Sequence, residues 1–431
     1  MPPYSQFPNK TNGDKDYSPV KTLIPNKPNE TLCSSCGLCH IRTWPVKESF
    51  ESCVFENGWL SGEAQLFGRS RSLSDEKGNQ DELRFGIYKK RFIARMKKPV
   101  AESQWSGIIT SIATKALSSG LIEGVVTLHR SKADFFFPEP VLATNLEDIQ
   151  KAKGNKPVIS PVLKSLETAY EKGFKKLLVI GASCHIHVLR DFQKRHPYLR
   201  DIEIYTVGIP CVDNIKPKNL RWILSKISHN HQTVNHYEFM QDFTVHLKHH
   251  DGELEKVPYF SLPQELTQTD VFAPSCLSCF DYFNSLSDIT VGYAGAPLVG
   301  NEKLQWVFLR TEKGEALLNL IETELEIFPE VSGGNRKEAV KEGIKAFINR
   351  LHSDKIESGR KIPIWAGMLL AKLFQKIGVK GVEFARYSVD YHLIRNYFFV
   401  KKNYPEKLKS LIPPNVYVIL KEYGFENEKS S

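Results

Sequence analysis

Several things are missing from this 431-residue chain, and each absence excludes something. Although 41% of the residues are hydrophobic, no uninterrupted apolar run approaches the roughly 20 residues that a membrane-spanning helix needs. The opening stretch, MPPYSQFPNKTNGDKDYSPVK, has neither the apolar core nor the cleavage pattern of a secretory signal. It holds four prolines, Asp14 and Asp16, with no arginine before Pro28, a composition unlike a chloroplast transit peptide. Residues 1–30 therefore read as a disordered leader. Without a secretory signal the expected compartment is the reducing cytoplasm, where structural disulfides are not expected. No zinc-finger array, recognition-helix pattern or RNA-binding signature is present, so nucleic acid is not an expected partner.

What is there begins with charge. The net charge is +9, and residues 331–431 hold 19 Lys and Arg against 10 Asp and Glu, which accounts for the whole excess. A basic C-terminal quarter is either a solvated face or a dock for an acidic protein or an anionic membrane surface.

The eight cysteines carry the chemistry. Cys33, Cys36, Cys39 and Cys53 read C-x2-C-x2-C-x13-C. Three evenly spaced thiols wrap one face of a 4Fe–4S cluster, as in bacterial ferredoxins, with a fourth ligand from further along the chain. Zinc sites use separated pairs and leave the third cysteine without a role. Cys184 and Cys211 each follow a strand-like run, KKLLVIG and IEIYTVG, and so lie where open α/β sheets place their ligands. Cys276 and Cys279 form a C-x-x-C that by itself fits a metal centre, a redox dithiol or half a zinc site. Each lone cysteine is ordinarily a small buried hydrophobe. With none of the eight left over, the second four are expected to converge on one cluster.

Elsewhere, residues 104–117 run through Gln104, Trp105, Ser106, Gly107 and Thr110 into a helix whose start can face a phosphate. Strand and helix then alternate from residue 121 to Cys211, and residues 243–260 read as a hairpin with His249 and His250 solvated on its turn. Glu238 and Asp242, beside Tyr237 and Phe239, are candidate proton donors, although surface carboxylates are commoner. Residues 82–99 are mixed and basic. Helices are expected over residues 315–325, 335–351, 365–377 and 383–400. Core packing explains most of the aromatics in the last one; a groove for a flat apolar ligand or a membrane-surface face is the sharper alternative.

CSSCGLC, LLVIGASCHIHVLR, GIPCVDN, VNHYEFMQDF, VPYFSL, APSCLSCFDYFNSLSDITVGYAGAP and FARYSVDYHLIRNYFFVKKNYPEKL resemble, in series, the family of deazaflavin-reducing hydrogenase beta subunits. The likeness is greatest to its photosynthetic branch of chlorophyll-pigment reductases. That resemblance implies FAD, two 4Fe–4S clusters and reduced ferredoxin as electron donor. Cys33, Cys36, Cys39 and Cys53 would bind the first cluster, Cys184, Cys211, Cys276 and Cys279 the second, and residues 104–110 the flavin. The chain departs from the pattern at His40, His185, His187 and Ala294. The implied fold is mixed α/β: a ferredoxin-like iron–sulfur segment (31–81), an α/β flavin and cluster domain (82–300), and a basic, mostly helical region (301–431). The implied activity is reduction of the 8-vinyl group of a 3,8-divinyl chlorophyllide-type tetrapyrrole, chosen because the leader is unlike a transit peptide. The alternatives are reduction of a 7-hydroxymethyl group and a non-catalytic electron-transfer subunit. A peripheral contact with a photosynthetic membrane and assembly into a homo-oligomer complete the expectations.

Overall fold

Near-continuous apolar runs and alternating ones sort into two different sheets. The strands are β1 (Lys90–Met96), β2 (Gly124–Arg130), β3 (Pro138–Ala143), β4 (Lys176–Gly181), β5 (Glu203–Gly208), β6 (Val234–Phe239), β7 (Thr244–His249), β8 (Leu254–Pro258), β9 (Ile289–Gly292), β10 (Gln305–Leu309) and β11 (Leu325–Phe328). The computed structural model describes residues 32–60, 62–74, 81–131, 136–215, 217–240, 242–263, 266, 271–295, 303–352 and 362–426. The expected leader lies outside them.

One sheet has eight strands in the order β11-β1-β10-β9-β5-β4-β2-β3, and the other is the antiparallel β6-β7-β8. In the large sheet β2, β4, β5 and β9 run parallel, and antiparallel strands flank them. The parallel strands are apolar on both faces because both are covered. Leu177 and Val179 of β4 enter one core and Leu178 the other, a split repeated by Val126 and Val125 of β2. The first core also takes Leu38, Trp44 and Phe55 from the N-terminal segment, and Leu393 and Phe399 from the long helix Gly381–Asn403. Thr31–Ser431 is accordingly one compact unit. Charge reinforces the closure: Arg84 Nε meets Asp390 Oδ1 at 2.7 Å, and Arg386 Nη2 meets Asp81 Oδ2 at 2.8 Å.

The mixed α/β architecture with a helical C-terminal region matches the expectation. Three details differ. The sheet takes β10 and β11 from beyond residue 300, so it crosses the boundary expected there. The basic stretch after residue 82 contains strand β1, whose Arg91 and Arg95 pair with Glu330 and Glu326 (2.9 and 2.8 Å) while Ile93 and Ala94 are buried. The helix expected over 315–325 is Glu312–Asn319, and β11 occupies the chain from Leu325. The helices Ile108–Ser118, Arg336–His352, Ile364–Ile377 and Gly381–Asn403 stand close to where periodicity puts them. No described helix is long and apolar enough to cross a membrane.

Candidate functional site

The first cysteine set is held by short turns. Cys33, Cys36 and Cys39 lie on the loop around the 3-10 turn Leu38–His40, and Cys53 directly precedes the helical turn Val54–Asn57. Burial pushes the Cys36 thiol well up, and repulsion from Cys39, Cys33 and Cys53 adds to it. Burial likewise pushes Cys53 up to about 11. Backbone N–H groups already point at the sulfurs: Leu38 at Cys36, Phe55 and Glu56 at Cys53, and Ser35 at Cys33 (3.3 Å). Such donors tune the potential of a thiolate-held cluster.

The second set is assembled from three distant places. Cys184 sits in the first turn of the helix Ser183–Arg195, just past β4; Cys211 follows β5; Cys276 and Cys279 bracket the 3-10 turn Cys276–Ser278. Burial raises the Cys211 thiol, with Cys276 and Cys184 adding repulsion, and Cys279 feels burial and then Cys184 and Cys211. Cys211, Cys276 and Cys279 each lie within electrostatic reach of Cys184. The long helix Gly381–Asn403 clamps them. Its buried Arg395 makes two 2.8 Å bonds to Asp213, two residues after Cys211, and Asn396 Nδ2 donates to the carbonyls of Cys276 (2.9 Å) and Cys279 (2.7 Å). Asp213 stands in the quoted GIPCVDN and Arg395 and Asn396 in the quoted FARYSVDYHLIRNYFF, but local pattern gives them no role.

The two sets share a border, because Ser34 hydrogen-bonds to Cys184, which also feels Cys33. The donor set fits polynuclear iron better than a single ion. Among the described residues, the group of three His, Cys, Asp or Glu whose ligand atoms lie within 4.8 Å of one another is His229, His249 and Glu253. A tetrahedral zinc with Zn–S bonds of about 2.3 Å would draw sulfurs to about 3.8 Å. His185 and His187 follow Cys184 on the same helix. Burial pulls His185 down to about 4, and its Nδ1 accepts from Ala182 N (3.1 Å). His187 Nε2 lies 2.8 Å from Asp281 Oδ2, and its ring meets Trp59.

The expected flavin stretch is a tight turn. Trp105 is left-handed (φ 57°), as is Gly107 (φ 87°), where a Cβ would strike Ser103 and Val100. Gly107 is thus required to open the helix Ile108–Ser118. Buried Ser106 bonds Gln305 Oε1 and Met96 N (both 3.1 Å), and buried Trp105 stacks on Tyr293 at 4.8 Å; Gln104 and Thr110 are half-buried. Lys153 Nζ donates to Ala101 O (2.8 Å), tying this turn to the loop that carries Lys156. Burial pulls Lys156 down to about 7, with the charge of Arg130 adding to it, and burial pulls Arg130 down to about 10 against Glu238 and Glu102. Lys156 Nζ donates to the carbonyls of Ala152 (2.7 Å), Lys153 and Gly154 (both 3.2 Å), while Arg130 Nη2 meets His236 Nδ1 at 3.1 Å. A lone lysine in a loop and an arginine at the end of β2 carried no signal in the sequence.

The two candidate carboxylates have different surroundings. Burial raises Glu238, opposed by Lys303, His246 and Arg130. Burial also raises Asp242, but hydrogen bonds from His246 (2.9 Å), Thr244 and Lys256 (3.0 Å) outweigh it and hold the group below the usual carboxylate range. Asp242 is therefore ionised near neutrality and poorly suited to donate a proton, a correction to its pairing with Glu238. His249 is not solvated as expected either: it is buried, bonded through Nδ1 to Thr233 Oγ1 (2.6 Å). Aromatic rings join these parts, from Trp105 to Tyr293, Phe384 (6.1 Å) and Phe243 (6.4 Å).

Sequence comparison shows the family. The profile of the coenzyme F420 hydrogenase/dehydrogenase beta subunit N-terminus matches residues 91–167, and that of its C terminus residues 174–331. The chloroplastic 7-hydroxymethyl chlorophyll a reductase of Oryza sativa subsp. japonica is 39% identical over 92% of this chain and 83% of its own length. The chain belongs to the coenzyme F420 hydrogenase/dehydrogenase beta subunit family. An uncharacterized Nostoc sp. protein is 43% identical over 94% of this chain and 98% of its own. A chain from the F420-reducing [NiFe] hydrogenase complex of Methanosarcina barkeri superposes with TM-score 0.54 at 22% identity, covering 76% of this chain and 96% of that one, and so shows the fold. Among these relatives the rice reductase carries a pigment in its name, and it favours the 7-hydroxymethyl reading over the 8-vinyl reading ranked first from sequence.

Proposed function

We propose that the protein is a ferredoxin-dependent flavin and iron–sulfur reductase that converts the 7-hydroxymethyl group of a chlorophyll-type tetrapyrrole to methyl. The observation that carries the reading is the 39% identity, over 92% of the chain, to a reductase of that name. The reaction balances as R–CH2OH plus two electrons and two protons giving R–CH3 and water. FAD, when bound, stores two electrons, and two 4Fe–4S clusters deliver them singly.

The chain's own residues order the route. The basic segment Lys401 to Lys409 lies against the first cysteine set: Lys407 Nζ donates to Phe55 O (3.4 Å) and pairs with Glu56 (3.5 Å), just beyond Cys53. An acidic donor docking there reaches Cys33, Cys36, Cys39 and Cys53 first. Ser34 and Cys184 lead to the second set. Tyr282, beside Cys211, and then Tyr293 lead on to Trp105. Gln104, Ser106, Gly107 and Thr110 offer the turn and helix start, and Arg130 a positive charge, for the flavin phosphates. Glu238, raised by burial, keeps a proton to higher pH than an ordinary glutamate and gives it to the departing hydroxyl. Ionised Asp242 instead holds His246 and Lys256 in place.

The test is one anaerobic assay with reduced ferredoxin, offering 7-hydroxymethyl and 8-vinyl pigments side by side. Preferential consumption of the 7-hydroxymethyl pigment is expected. Preference for the vinyl pigment would restore the other order. Intact cofactors with neither pigment consumed would make the chain an electron carrier.

A further inference from the structure

The helix Ile364–Ile377 is built inside out. Its small residues face the protein: Gly367 and Ala371 are buried, and a Cβ on Gly367 would collide with Ser261 and Pro258. Its large residues face solvent, with Trp365 70% exposed, Ile377 64% and Leu369 60%. With successive residues about 100° apart, Trp365, Leu369, Lys372 and Lys376 share one stripe, and both lysines are exposed. No Asp or Glu occurs in residues 362–382, while Lys380 adds a third cation. Contiguous exposed apolar surface of this kind marks a docking face.

The interleaved lysines choose the occupant. A second copy of the same stripe would bring lysines against lysines with no carboxylate between them. An anionic lipid surface takes both features at once: tryptophan and leucine enter the headgroup and acyl boundary, while lysines reach the phosphates. The helix, about 21 Å long, can lie flat on such a surface. Its underside meets the candidate site. Gln375 Nε2 donates to Asp242 O (3.0 Å), and Phe374 stacks on Phe260 (5.0 Å) and reaches Phe243 (6.4 Å), the last ring in the aromatic series from Trp105.

We propose that the helix Ile364–Ile377 seats the protein on an anionic bilayer and holds the aromatic-lined site against it. Lipid binding stands on the helix alone; its use for delivering a bilayer-held tetrapyrrole rests on the function proposed above. The test is sedimentation of the full chain with phosphatidylcholine vesicles, with and without phosphatidylglycerol. Binding at least about tenfold stronger to the anionic vesicles is expected. Trp365→Glu with Leu369→Glu should abolish binding, and Lys372→Glu with Lys376→Glu should remove the anionic preference. Turnover of detergent-dispersed pigment should be unchanged in both variants, while turnover of vesicle-held pigment falls. Wild-type protein that stays in the supernatant, or variants that sediment like wild type, would overturn the proposal. So would a wild-type oligomer that Trp365→Glu dissociates while vesicles are ignored. Failure of wild type on detergent-dispersed pigment, with vesicle binding intact, would strike the proposed function and leave the docking face standing.

Discussion

The two cysteine sets solve one problem in opposite ways. The first is written in the chain: three thiols in seven residues, a fourth close behind, and short turns to aim them. The second is written in the fold, from the ends of β4 and β5 and a C-x-x-C before β9, and it depends on a helix more than a hundred residues further on to hold it. A local set can sit near the surface and take electrons from a partner. A set built across the sheet comes out near Tyr282 and Tyr293, where the chemistry is proposed.

The sharpest way to break this comparison is to remove one thiol from each set. Cys276→Ser should abolish turnover with any reductant and remove about half of the iron. Cys36→Ala should also remove about half, yet leave the second cluster's electron paramagnetic resonance signal and some turnover with a small chemical reductant. Loss of both signals in either variant would mean that the two sets are not separate.

Next in size is the Asp213–Arg395 clamp beside the second set. Asp213 and Arg395 are both buried, so Arg395→Met alone leaves a buried carboxylate unpaired and should cost about 3–5 kcal/mol in denaturant unfolding. Adding Asp213→Asn should recover most of that loss. A shifted midpoint potential of the second cluster, with the first unchanged, would identify the clamp as a positioning device beyond its structural cost.

How much of this could be read from the sequence follows the same division. The C-x2-C-x2-C run and the turn at Gly107 were legible, because spacing and glycine carry their own geometry. Lys156, Arg130, Asp213 and Asn396 were not, since a lone polar residue shows its purpose only after the sheet brings its partners near. Strand β1 was hidden because Arg91 and Arg95 make it look like a basic connector, and their partners Glu330 and Glu326 lie more than 200 residues away. Asp242 looked equivalent to Glu238 because hydrogen bonds from His246 and Lys256 across the small sheet cannot be seen in a linear pattern.

The pigment end can be probed through Glu238. Glu238→Gln should lower pigment turnover by about a hundredfold while reduction of the protein by ferredoxin stays normal. The direction with pH follows from the raised carboxyl. It is protonated and active below its shifted pKa, and activity falls as pH rises through that value. The glutamine variant should lose this descending limb. Asp242→Asn should leave the limb in place, since that group is already ionised near neutrality. A full-rate Glu238→Gln enzyme would hand the proton to water.

The smallest expected effect lies at the surface, where the first set meets its donor. Lys401 and Lys402 end the long helix and begin the basic segment that packs on Phe55 and Glu56. Rim charges act mainly on the rate of encounter, so Lys401→Glu with Lys402→Glu should slow reduction by ferredoxin several-fold at low salt. The deficit should shrink as salt rises, because exposed charges are screened over roughly 10 Å at 0.1 M. Reduction by a small uncharged reductant should not change. Lys402 also bonds Leu351 O, so the variant's thermal midpoint must match the parent's before the rate is read. Equal ferredoxin rates at every salt concentration would move the dock away from the first set and break the proposed order of the two.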